Sequence, residues 1–202
     1  MKETILRYLT ETYRPEAIIT YGSYADGSAN EHSDFDALLI AEGACAHDGS
    51  VVGGVTLDVF LYPASAFAGD YAAEDFVQVY DGVIEWDQNG TARKLQEKVR
   101  EYLQNKVRSA EEIRQEIGWC QKMLLRTERE DAEGYFRRHW LLTDSLEIYF
   151  DTIGQPYFGP KKALRYLAAH DAEAYRIYEN ALRRCDRAAL TEWIRHLAHK
   201  SC

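Results

Sequence analysis

The sequence predicts an α+β chain: a small mixed-sheet α/β domain over residues 1–108, followed by an all-α helical bundle over residues 109–202. Short β-branched and aromatic runs at 17–21, 35–41 and 55–62 are separated by turn signals in the first half. From Thr91 onward the apolar residues recur at helical spacing, beginning with Leu95, Val99, Leu103 and Val107. At 202 residues the chain is long enough for one large domain or two small ones.

In order, residues 3–13 put Ile5, Tyr8, Leu9 and Tyr13 on one helical face, and Pro15 ends that helix. Residues 17–21 read as a buried strand stopped by the turn Gly22-Ser23. The small residues that follow allow one helical turn or two, ending between Gly27 and Asn30. Residues 35–41 are nearly continuous in apolar character, which places this strand centrally in its sheet. Residues 43–54, rich in Gly, Ala, Asp and Ser, are expected to be a loop or hairpin connection. Residues 55–62 form a third strand in which Asp58 is the one charged residue. A buried carboxylate there costs several kcal/mol unless paired or metal-bound, so Asp58 requires a partner, and Asp34 with Asp36 on a neighbouring strand would supply it through shared cations. Residues 64–80 read as short helical pieces, and 83–86 as a fourth, edge strand before the turn 87–90.

In the second half Ile113, Ile117, Cys120 and Leu124 mark one helix, and Phe136, Trp140, Leu146 and Phe150 a longer one. Gly154-Gln155-Pro156 and Gly159-Pro160 break the chain, and Pro160 suits the first position of the next helix. Tyr175, Tyr178 and Leu182, then Leu190, Trp193, Ile194 and Leu197, mark the last two.

Composition narrows the function classes. Apolar residues make up 46% and charged residues 28%, as in ordinary folded proteins. No apolar run approaches the ~18–20 residues that span a bilayer, and the N-terminus is amphipathic rather than signal-like, so a cytoplasmic setting without membrane association is expected. Cys45, Cys120, Cys185 and Cys202 are scattered without CxxC pairing, which suggests reduced thiols rather than a disulfide framework or zinc site. His196 and His199 near Cys202 fall short of a full zinc ligand set and read as a solvated helix end. Residues 1–108 hold nine Lys and Arg against eighteen Asp and Glu, whereas residues 109–202 hold fifteen of each, so the whole formal charge of −9 falls in the first half. Such a surface repels a nucleic-acid backbone, and small-molecule or protein substrates fit it better.

The chemistry concentrates in residues 21–40. Asp34 and Asp36, two apart and entering a strand, point to one face with Cα atoms roughly 6–7 Å apart, a spacing suited to divalent metal. A Gly-Ser turn after a strand lets backbone N–H groups approach a phosphate. Gly22-Ser23, ten intervening residues, Asp34-x-Asp36 and then Asp58 on a later strand resemble, over residues 17–62, the signature of the polymerase-β-like nucleotidyltransferase superfamily. The resemblance implies that Asp34, Asp36 and Asp58 are catalytic and hold two Mg²⁺ ions, with Mn²⁺ an alternative, while Gly22 and Ser23 hold the triphosphate of a nucleoside triphosphate. Three hard carboxylates with phosphates and water suffice for Mg²⁺. Many members carry a basic residue soon after the Gly-Ser pair, where this chain has Asp26. Lys161 and Lys162, at a helix started by Pro160, are the candidates for binding the nucleotide's phosphates instead, beside the simpler reading of a solvated helix start.

The whole chain, with its aromatic-rich helix and Gly-Pro-Lys-Lys break, also resembles the two-domain aminoglycoside and lincosamide nucleotidyltransferases. In those proteins the bundle forms one wall of the acceptor site and can supply a carboxylate base; Asp144 and Glu147 stand at positions for that role, although a helix normally exposes such residues. Trp140, Tyr149 and Tyr157 could pack on an acceptor ring, although helical spacing favours core packing. The implied function is transfer of AMP from ATP to a hydroxyl of a small molecule with release of pyrophosphate, and a homodimer is compatible with it. Two alternatives stand beside it. One is an antitoxin-like nucleotidyltransferase acting on a partner protein, fused to a helical nuclease whose Arg-x4-6-His pattern Arg165 and His170 meet; the other is a non-catalytic nucleotide-binding module.

Overall fold

The helical periodicity of residues 3–13 becomes α1 (Lys2–Tyr13), with Ile5 and Leu9 fully buried, in a computed structural model describing residues 1–106 and 108–200. The chain divides into the units Met1–Asn105 and Lys106–Cys202. Val107, the last position of the expected 95–107 stripe, and Cys202, the thiol near His196 and His199, lie outside the described residues.

In the first unit the apolar runs become β1 (Ala17–Tyr21), β2 (Phe35–Ile40) and β5 (Val55–Tyr62). The connection at 43–54 contains two short strands, β3 (Ala46–Asp48) and β4 (Val51–Val52). With the edge strand β6 (Val83–Asp87) the sheet order is β3-β5-β2-β1-β6, and β4 pairs with β5. β1 is antiparallel to β2 and β6, β3 is antiparallel to β5, and β2 and β5 are parallel, which makes the sheet mixed. Side chains alternate between its faces. Ile18, Phe35, Ala37, Leu39, Leu57, Val59 and Leu61 pack with Ile5 and Leu9 of α1. Ile19, Tyr21, Leu38 and Ile40 face the other way, with Leu95 and Val99 of α3 (Thr91–Asn105) and with Phe76 and Val79 of the 3₁₀ segment Ala73–Val79.

α1 is also latched to the hairpin. Asp48, 8% exposed, accepts from the Tyr13 hydroxyl at 2.9 Å, from Ser50 N at 2.9 Å and from Ser50 Oγ at 2.5 Å. Burial alone would raise its pKa, but the Ser50 and Tyr13 bonds outweigh that and lower it.

The second unit contains α4 (Ala110–Arg126), α5 (Ala132–Thr152), α6 (Pro160–His170), α7 (Ala172–Arg184) and α8 (Arg187–Lys200). Their starts are written locally. Ser109 and Glu112 form a reciprocal capping box on α4, Asp131 caps α5, and Pro160 opens α6 after Gly159. Ile117, Cys120, Leu146, Phe150, Tyr178, Leu190, Trp193, Ile194 and Leu197 share one core, as the helical spacing predicts. Two buried polar groups in it are satisfied: Trp193 Nε1 donates to Ser145 Oγ at 2.9 Å, and the Tyr178 hydroxyl donates to the Leu142 carbonyl at 2.8 Å. Phe136 (66% exposed), Trp140 (41%) and Leu182 (44%) share the helical stripes but lie at their edges, so the expected packing fails for them.

Asp171 ties three helices together. It caps α7 through the Ala174 amide at 3.0 Å, accepts from the Tyr149 hydroxyl of α5 at 2.7 Å, and pairs with Lys200 of α8 at 2.7 Å. Burial opposes its charge, yet the bonds from Lys200, Ala174 and Tyr149 win and hold its carboxyl at about 2. Because the folded pKa lies below the unfolded value of about 3.9, this stabilisation is fully present above that value and is lost as pH falls towards 2. Asp171→Asn keeps a capping oxygen and loses the charge, so it should destabilise the unit by about 1 kcal/mol at neutral pH. In urea titrations that deficit should shrink between about pH 5 and pH 2 as the wild-type carboxylate is protonated.

Candidate active site

In the parallel pair, Asp36 of β2 stands opposite Asp58 of β5. Adjacent strands lie about 4.8 Å apart, so the two carboxylates leave the sheet side by side. Alternation puts them on the face shared by Leu38, Ile40 and Tyr62, which the 3₁₀ segment and α3 cover. The face opens towards the acids, and both are half-buried. Asp34 is exposed and precedes β2 by one residue, so it enters from the loop rather than from the strand.

Asp58 corrects the expectation of a deeply buried acid. Its side chain is 46% exposed, and its partner is His47 of β3, whose Nε2 lies 2.7 Å from Asp58 Oδ1. Tyr21, opposite Asp36 on β1, is a second residue that the pattern did not single out. Burial raises its phenol pKa, and the nearby charges of Asp58 and Asp36 raise it further, so its hydroxyl stays protonated beside both acids.

Gly22 has φ 65° and ψ −148°, a conformation that other residues scarcely adopt. A Cβ on it would stand 2.3 Å from Asp36 Oδ2, so the turn backbone and the Asp36 carboxylate occupy one close-packed spot. Ser23 starts the single-turn helix α2 (Ser23–Asp26) and is 7% exposed, which leaves its hydroxyl less open to a phosphate than expected. The acid in place of the expected base has a local purpose: Asp26 Oδ1 accepts from Ser28 N at 2.9 Å and closes the turn.

Among the described residues no group of three or more His, Cys, Asp and Glu is placed to hold a metal by itself. Mg²⁺ ordinarily takes one or two carboxylates and completes its shell with phosphates and water, so the hard-oxygen pair Asp36 and Asp58, with Asp34 nearby in sequence, is chemically suited to a divalent cation. Lys161 and Lys162 lie in the first turn of α6, in the helical unit, and Lys162 Nζ stands 5.4 Å from the Phe158 ring centre.

The helical unit has a cavity of about 290 Å³ lined by Arg108, Glu116, Trp119, Asp144, Glu147 and Ile148. Arg108 pairs with Glu116 and with Asp151. Asp144 departs from a plain surface charge: it is half-buried, and burial raises its pKa against a hydrogen bond from Trp140, with the charge of Glu147 adding to the rise. Trp119 meets Trp140 edge-on at 5.8 Å. Tyr149 is 1% exposed, and Tyr157 packs on Phe150 at 5.9 Å, so of the three aromatic candidates only Trp140 presents much ring surface.

The family model described as "Nucleotidyltransferase domain" matches residues 2–117. No curated protein matches the chain. A nucleotidyltransferase-like protein from Exiguobacterium sibiricum 255-15 is similar in structure, with 13% identity, coverage of 99% of this chain and 72% of that one, and a TM-score of 0.41, a likeness too slight to carry an inference. The family match spans more than half of the chain, including β1, the Gly22-Ser23 turn, β2 and β5, and the chain therefore belongs to the polymerase-β-like nucleotidyltransferases.

Proposed function

We propose that the protein transfers a nucleoside monophosphate, AMP from ATP in the first instance, to a hydroxyl of a small molecule such as an aminoglycoside- or lincosamide-like compound, and releases pyrophosphate. The observation that carries this reading is the pairing of Asp36 with Asp58 at the open part of the sheet, with the Gly22 turn packed directly on Asp36. Asp34, Asp36 and Asp58 would hold two Mg²⁺ or Mn²⁺ ions, whose bound chemistry is to polarise the phosphoryl oxygens and acidify the attacking hydroxyl. Gly22, with Ser23, is proposed to hold the phosphates through backbone N–H groups of a turn whose missing side chain lets it pack directly on Asp36. Tyr21 supplies a protonated hydroxyl next to the acids, a donor rather than a further anion. Lys161 and Lys162 are proposed to neutralise charge on the leaving group.

For the acceptor, the cavity of the helical unit combines a Trp119 wall with Asp144 and Glu147, and no ion pair engages either acid among the described residues. A carboxylate whose pKa is raised is the better proton acceptor near neutral pH, so Asp144 is the proposed base for the acceptor hydroxyl.

The purified protein with Mg²⁺ and labelled nucleoside triphosphates should transfer label to a member of a hydroxyl-acceptor panel and release pyrophosphate. Label on a protein band instead would move the reading to a partner-modifying enzyme. Asp36→Asn or Asp58→Asn should lower transfer on the order of 10³-fold with the fold retained by circular dichroism, and unchanged turnover would sink the assignment. Gly22→Ala forces a Cβ into Asp36 and a strained backbone, and should cost about 1–2 kcal/mol of stability together with most of the activity. Asp144→Asn should behave oppositely on the two scales. A raised carboxylate pKa means stability lost as pH rises through the unfolded and then the folded value, so the Asn variant should match or exceed wild-type stability at pH 7 while kcat falls on the order of 10²-fold.

A further inference from the structure

His47 lies in the stretch 43–54, where the sequence marks only a connection, yet it ends in contact with a carboxylate of the site. β3 pairs with β5 so that His47 stands opposite Phe60. Phe60 and Asp58 are two residues apart on β5 and therefore share a face. Asp58 thus has Asp36 on one flank, by the β2 register, and His47 on the other. The imidazole is set by its neighbours: its ring packs on Phe60 with centroids 4.8 Å apart, and a Cβ at Gly49 would come within 3.5 Å of its Cε1.

The pair is poorly explained by stability. His47 and Asp58 side chains are 49% and 46% exposed, and pairs at such exposure contribute little to folding. What the contact does is local. A half-exposed aspartate can turn about two side-chain torsions, and a donor fixed on Oδ1 removes that freedom while leaving its other lone pairs for a ligand. Carboxylates that bind metal are commonly held by such a hydrogen bond, and loss of the holding group typically weakens metal binding 10–100-fold.

We propose that His47 is a positioning residue for Asp58, holding its carboxylate in the orientation that receives a divalent cation; this rests on the reading of Asp58 as a metal-holding carboxylate. His47 itself touches neither substrate nor cation in this assignment. It acts through the N–H it donates.

The test is Mn²⁺ binding by the full chain in the presence of a nonhydrolysable nucleoside triphosphate, read by electron paramagnetic resonance against a protein-free Mn²⁺–nucleotide control, with the thermal midpoint of each variant recorded. His47→Phe keeps a ring against Phe60 and removes the donor, and should weaken Mn²⁺ binding about 10-fold. His47→Gln returns an N–H donor and should lie within about twofold of wild type. In an Asp58→Asn background, His47→Phe should add no further loss, because the residue acts through Asp58. Wild-type affinity in His47→Phe, failure of His47→Gln to restore binding, or independent losses in the double variant would each overturn the assignment. A wild-type chain that binds no Mn²⁺, or an Asp58→Asn variant that binds as wild type does, would overturn the underlying reading of Asp58 and be distinguishable from a failure of His47 alone.

Discussion

The parallel pairing of β2 with β5 is the constraint on which the rest of the first unit depends. Parallel strands cannot be joined by a tight hairpin, so the chain must leave β2, make the excursion that forms β3 and β4, and return. That excursion brings His47 to Asp58 and Asp48 to α1. The parallel register also decides which residues are neighbours: a shift by one position would turn Asp58 to the α1 face, against Ile5 and Leu9, and would turn Leu57 and Val59 away from it. Burial of Leu57, Val59 and Leu61 against Ile5 and Leu9 opposes that shift, and the apolar face thereby specifies the position of the acids on the other.

The strands and helices with long apolar patterns were legible in the sequence because each buries one face. The strands at 17–21, 35–40 and 55–62 and the helices marked by Ile117 and Cys120 or by Trp193 and Leu197 are of this kind. β3 was not legible, since three residues are too few to show alternation and Ala46 and His47 are exposed. The miss mattered for the site. Without β3, the sequence offers the charged residue inside β5 only the other aspartates as partners and suggests deep burial, whereas the structure leaves Asp58 half-exposed with the His47 imidazole as a partner. Exposed aromatics mislead by the same physics: Phe136 and Trp140 keep helical spacing with Leu146 and Phe150, but a helix twenty-one residues long has stripe edges that packing does not reach.

The Gly22 turn carries a contact that spacing alone does not show. Spacing alone identifies a glycine that allows close approach to the backbone. The structure adds that the Asp36 carboxylate already occupies the volume where a side chain would go. Turn and acid thus form one packed object, and the ten residues between Ser23 and Asp34 need only close a loop between them. Asp26 closes its own turn within that loop through Ser28 N.

Asp48 gives the short strand β3 a second side. Its neighbour His47 faces Asp58, while Asp48, pointing the other way, is clasped by Tyr13 and Ser50. Three residues of backbone thus carry a structural anchor on one face and a contact to Asp58 on the other. The first helix of the chain contributes no group to the carboxylate pair, yet through the Tyr13 hydroxyl it is tied to the strand that carries His47.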